Sequence, residues 1–122
     1  NSSAASDVYK RQVEWFLETV INSIIGALFY TVLDFHAKMN TGKGFAELIL
    51  EEPRRVHDAL FMALNRDEYA LEMIERVMER HIQKVLKRPI NLFEVIRDND
   101  VQKVRQIILS LAREYIARTE RR

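Results

Sequence analysis

The sequence contains no cysteine, and only 3 glycines and 2 prolines in 122 residues. Without cysteine there is no disulfide framework, no thiolate metal site and no thiol nucleophile. Glycine and proline together fall well short of the roughly 12% found in an average domain. That scarcity excludes sandwiches, barrels and other folds built on many tight turns. It also removes the glycine loops that cradle phosphates. Gly42-Lys43 has the ending of such a loop, but its first glycine and its spacing are absent and no strand pattern precedes it. A long hydrophobic run is missing too. The longest central stretch without a charge, Thr19 to Leu33, has 15 residues and includes Asn22 and Ser23. A membrane span needs roughly 20 apolar residues, so none is expected. Charge of one sign is also lacking. A net formal charge of +1 gives no strong field toward nucleic acid or membrane.

What the chain does have is 48% apolar and 30% charged residues, arranged with helical spacing. In residues 13–39, Leu17, Ile21, Ile24, Leu28, Thr31 and Phe35 recur at intervals of 4, 3, 4, 3 and 4, which predicts one helical core stripe. Asn40 to Gly44 marks a turn. Phe45 to Glu51 reads as a short helix with Phe45, Leu48 and Ile49 as its contacts. Pro53 starts the next helix, to about Asn65, with Val56, Leu60 and Leu64 inward. Asp67 caps a third long helix, to about Lys87, whose stripe is Ala70, Ile74, Val77, His81 and Val85. After Pro89, Asn91 with Glu94 predicts a capping box for a short helix at 92–97, and Asn99 with Gln102 repeats the signature. The last helix, about 100–119, carries Val101, Val104, Ile108, Leu111 and Tyr115, and Arg118, Arg121 and Arg122 suit its C-terminal dipole. No strand pattern occurs. The expected fold is an all-α helical bundle of about four long helices with one or two short linking helices. The apolar stripes on the first and last helices exceed what a small bundle hides, which points to a homodimer.

The N-terminal segment reads differently from the rest. Residues 2–12, SSAASDVYKRQ, resemble the conceptual translation of a short-read sequencing adapter, a contaminant of metagenomic contig ends. The resemblance implies that 1–12 is a non-native, disordered leader. It also implies that 13–122 is a single helical domain, the C-terminal part of a longer protein. Without the leader the chain holds 17 basic and 17 acidic residues. Residues 13–78 have 6 basic and 11 acidic, net −5, and residues 79–122 have 11 basic and 6 acidic, net +5. The two halves are expected to pack together.

A search for reactive constellations finds none. No histidine pairs with glutamate at di-metal spacing, and no H-E-x-x-H motif occurs. His81 falls on an apolar stripe and reads as a core or boundary histidine. His36 precedes Ala37-Lys38, a weak echo of a phosphotransfer bundle. Glu68, Glu72, Glu75 and Glu79 share one helix face and read as solvated, with Glu72 and Arg76 an i, i+4 pair. Ser23 and Ser110 have no nearby base. No catalytic, cofactor-binding or metal residues are assigned, and an enzyme is not expected. Two groups remain as candidate binding residues. Arg54 and Arg55 sit in a first helical turn, where the dipole opposes them, with His57 beside them. They either pair with Asp58 or dock a partner's carboxylates or phosphates. Arg80, Lys84, Lys87 and Arg88 form a basic patch, the strongest candidate for nucleic acid.

Residues of about 22–82 also show an order of motifs. Leu28-Phe29-Tyr30 precedes a glycine-containing loop, then Phe45-Ala46-Glu47-Leu48-Ile49-Leu50 leads into Glu52-Pro53. His57-Asp58-Ala59-Leu60 and Ala70-Leu71-Glu72-Met73-Ile74 follow. In this order the segment resembles the Nitrosopumilus-type output domain found at the C-termini of archaeal signal-transduction proteins. The turn at Asn65-Arg66-Asp67 departs from that pattern by lacking a glycine. The resemblance implies a cytoplasmic, non-enzymatic module that works by packing against a protein partner or itself, and it assigns no catalytic residues.

Overall fold

Helix propagation outward from Val13 meets no breaker upstream and one downstream. A computed structural model describes residues Ser2–Glu120, with side chains from Asp7 onward. Its first helix, α1, runs Ser2–Ile24. The segment expected to be a disordered leader is therefore helical from Ser2. It holds no glycine or proline, and once Val13, Phe16 and Leu17 fix a turn, each added residue extends the helix at little cost. From Asp7 to Arg11 its side chains stay peripheral. Tyr9 lies under the Arg113 guanidinium at 5.4 Å and Lys10 reaches Glu47 at 3.6 Å, but the first buried residue of the described side chains is Val13.

Gly26 stops α1. Its φ of 126° and ψ of 163° lie in a region that essentially only glycine occupies. The single helix expected over 13–39 is thus two, α1 and α2 (Ala27–Thr41), and the predicted stripe does not survive the break. In α1, Val13, Phe16, Leu17, Val20 and Ile21 are buried, and the helix packs on α2, α3, α5 and α7. In α2 the buried residues are Tyr30, Leu33 and Ala37. Gly42, at φ 79°, closes α2 by donating its N–H to the Lys38 carbonyl.

The next elements are α3 (Phe45–Glu51), a 3₁₀ turn (Pro53–Arg55) and α4 (Val56–Ala63). They bury Phe45, Ala46, Leu48, Ile49, Leu50, Pro53, Val56, Ala59 and Leu60. Then come α5 (Glu68–Leu86), α6 (Leu92–Arg97) and α7 (Val101–Thr119). Among the described residues there are seven α-helices and no strand, so the all-α bundle stands, with four long helices and three short ones. Arg121 and Arg122, expected at the C-terminal dipole, lie outside the described residues.

Three local expectations need correction. The inward face of α5 is Leu71, Glu75, Met78, Ile82 and Leu86, one residue on from the predicted stripe, because α5 carries adjacent apolar pairs and contacts with α1, α4 and α7 select between them. Asn91 makes no side-chain cap; its backbone carbonyl accepts from Val95 instead. The cap of α7 is Asp100, whose Oδ1 accepts from Lys103 N at 3.2 Å, while Asn99 turns the chain at φ 58°. Asp67 does cap α5, accepting from Ala70 N at 3.1 Å.

Candidate functional site

Helix α2 has two apolar faces, and the bundle uses one. Tyr30, Leu33 and Ala37 face inward, against α1, α3 and α4. On the other side, Leu28, Val32, Phe35 and Met39 recur at intervals of 4, 3 and 4 and are 79%, 42%, 57% and 69% exposed. Ile25, just before the Gly26 break, is also exposed. Single exposed apolar residues are ordinary, but a contiguous row at coiled-coil spacing is not. Full burial of each large side chain is worth about 1.5–3 kcal/mol, so this face holds back several kcal/mol of apolar burial from the fold.

The margin of the face is locked and uncharged overall. Asp34 accepts from Phe45 N at 2.8 Å, supplying a carboxylate to the N-terminus of α3, and pairs with Lys38 Nζ at 2.9 Å. That pair raises the Lys38 ammonium pKa, chiefly through the hydrogen bond to Asp34. The cap requires Gly44: a Cβ there would stand 2.8 Å from Asp34 Oδ1. Farther along, Asn40 donates to the His36 carbonyl at 2.9 Å. The Asp34 carboxylate thus ties the middle of α2 to the N-terminus of α3.

The residues singled out by sequence lie elsewhere and do not converge. Arg55 pairs with Glu52 at 3.2 Å, and its guanidinium also lies 3.5 Å from the Asn40 carbonyl; the alternative pairing with Asp58 is not made. Glu52 also binds Lys43, and that hydrogen bond first, then Arg55, holds its carboxyl below the usual range. His57 stacks on Phe61, with ring centroids 6.1 Å apart. Arg54 is exposed, and among the described residues no carboxylate pairs with it. Arg80, Lys84 and Lys87 are exposed along α5 and at its left-handed C-cap, again with no ion pair among the described residues. Arg88 is drawn away to Glu114, at 2.7 Å.

The acidic face of α5 is only partly solvated. Glu75 is buried and pairs with Arg97, and Glu79 accepts from Phe93 N at 2.9 Å, so these two carboxylates dock α6. Burial raises the Glu75 pKa and Arg97 opposes the rise. The two charge halves meet through this contact and through the packing of α7 on α1 and α5. The expected Glu72–Arg76 pair is not formed among the described residues. His81 is half-buried, with a ring nitrogen 2.9 Å from the Tyr115 hydroxyl. An open apolar cavity of about 360 Å³ lies between α6, α7 and the loop joining α5 to α6, lined by Ile90, Leu92, Val95, Ile107 and Leu111 among others. No group of three His, Asp or Glu side chains among the described residues could hold a metal ion. No helix among them is long and apolar enough to cross a membrane.

Comparison with known proteins adds one relative. The chain is similar to an uncharacterised protein of Archaeoglobus fulgidus, 24% identical over 94 residues, which make up 75% of this chain and 77% of the relative. No family model matches the chain. No solved structure matches it. The outward face of α2 departs from the sequence expectation, which places Leu28 and Phe35 on the core stripe and Val32 beside it. The signal that could have found it is Gly26, the one glycine inside the first apolar segment.

Proposed function

We propose that the chain is a non-enzymatic helical regulatory domain that acts by packing against a protein, in the manner of an archaeal signal-transduction output module in the cytoplasm. The outward row Leu28, Val32, Phe35 and Met39 carries this reading, because it is apolar, contiguous and left uncovered by the bundle. The similarity to a protein of Archaeoglobus fulgidus supports the archaeal part of this reading. Site-specific photo-crosslinking tests it. A photoreactive residue at Leu28 or Phe35 should yield a discrete protein adduct in cells, and the same probe at exposed Gln102 should not. Absence of an adduct from both α2 positions would end the proposal.

A second reading is a nucleic-acid-binding regulator. It is favoured by the exposed row Arg80, Lys84 and Lys87, which has no acidic partner among the described residues. Binding to DNA or RNA should then weaken with salt and fall further in Lys84→Glu/Lys87→Glu. No binding at low salt would remove this reading.

A further inference from the structure

We infer that the partner of the outward α2 face is a second copy of the same chain, packed antiparallel about a twofold axis. This rests on the reading of that face as a protein-interaction surface and names its occupant. The first argument is the spacing. Intervals of 4, 3 and 4 read the same in both directions. An antiparallel twofold centred between Val32 and Phe35 sets Leu28 opposite the second copy's Met39, and Val32 opposite the second copy's Phe35. Each small or branched side chain meets a longer one, which is the complementarity that close packing needs. In such an isologous contact one patch serves both sides, so a self-complementary row is sufficient.

The second argument is charge. The same pairing sets Lys38 opposite Phe29 and His36 opposite Thr31, so no like charges meet. Lys38 is already neutralised by Asp34, and the row itself carries no charge. A neutral face offers nothing to a phosphate backbone or an anionic headgroup, and it has no charge pattern that would select a different, oppositely charged protein. The third argument is area. The four side chains expose roughly 500 Å² together, at the upper end of the largest patch on a typical monomer. Two such faces remove on the order of 1,000 Å², and the flanking Thr31 and Lys38 of α2 carry the contact toward the roughly 1,200 Å² at which specific interfaces begin.

The test is light scattering on the full chain over a range of concentrations. Wild type should approach twice the 14.4 kDa chain mass as concentration rises through the micromolar range. Leu28→Glu/Phe35→Glu should remain at the single-chain mass with an unchanged helical circular dichroism spectrum. If that variant fails to fold, Met39→Lys, at the most exposed end of the row, should still weaken the dimer tenfold or more. A wild-type chain that stays monomeric at roughly 100 µM would overturn the inference, as would a dimer that survives these substitutions. A monomer that nonetheless gives a photo-adduct with a different protein from Phe35 would leave the interaction reading standing and remove the second copy as its partner.

Discussion

Helices α2 and α7 carry the same apolar rhythm and come to opposite ends. In α7, Val104, Ile108, Leu111 and Tyr115 recur at 4, 3 and 4 and are all buried. In α2, Leu28, Val32, Phe35 and Met39 recur at 4, 3 and 4 and are all exposed. The rest of each helix makes the difference. The far side of α7 is polar, with Gln102, Arg105, Gln106 and Arg113 exposed, so only one face can enter the core. The far side of α2 offers Tyr30, Leu33 and Ala37, and the break at Gly26 turns that side inward. Periodicity thus reports that an apolar face exists, and the chain path decides whether the same molecule covers it.

The contrast can be broken most forcefully in the core. Leu111→Ala in α7 should lower unfolding free energy by about 2–5 kcal/mol, the usual loss for truncating a packed leucine. Phe35→Ala, measured by urea unfolding at a concentration low enough to keep the chain monomeric, should stay within about 0.5 kcal/mol of wild type. A comparable loss at both sites would erase the distinction between the two helices.

The next effect concerns the break itself. Gly26→Ala places a side chain at a backbone geometry reserved for glycine and should cost about 1–3 kcal/mol in thermal or chemical unfolding. An unaffected or stabilised variant would mean that a straight helix through residue 26 serves as well, and that the exposure of the α2 row is not set there. A step smaller, Gly44→Ala forces Asp34 off the N-terminus of α3 and should cost about 1 kcal/mol, the value of a typical cap. Asp34→Ala should match it, and the double variant should be less than additive.

A pH experiment sharpens the buried side of the contrast. Burial, with a smaller contribution from Lys84, lowers the His81 pKa below the ordinary imidazole value. The unfolded chain then binds more protons than the folded one in the window below that ordinary value, so stability falls as pH drops through it. His81→Gln should flatten this part of the stability profile, read by unfolding at a series of pH values. Persistence of the same slope would place its origin in another group.

Much of the fold was legible before the structure. The turn at Gly42, the Asp67 cap, the Pro53 start and the stripe of α7 from Val104 to Tyr115 follow from local chemistry, and the structure contains each of them, while Val101, expected on that stripe, is exposed. Where local signals competed, the sequence underdetermined the result. Apolar pairs such as Ala70-Leu71 and Val77-Met78 permit two phases of α5, and the observed one buries Glu75 because Arg97, distant in sequence, neutralises it. Asn99 and Asp100 both can cap, and the aspartate does so while the asparagine takes the left-handed turn. The α2 face was the least legible, since reading it required knowing that Gly26 ends one helix and starts another.

In the inferred dimer the outward row of α2 meets its own copy in antiparallel register. Because the chain has no cysteine, single thiols can be placed at will. A Leu28→Cys variant and a Met39→Cys variant, mixed and treated with a short thiol–thiol crosslinker, test the register directly. Antiparallel pairing brings residue 28 of one copy beside residue 39 of the other and separates the two copies of residue 28 by about 16 Å along the axis. A covalent dimer should form in the mixture and little in either variant alone. Efficient crosslinking of the Leu28→Cys variant to itself, or no crosslink in the mixture, would contradict it.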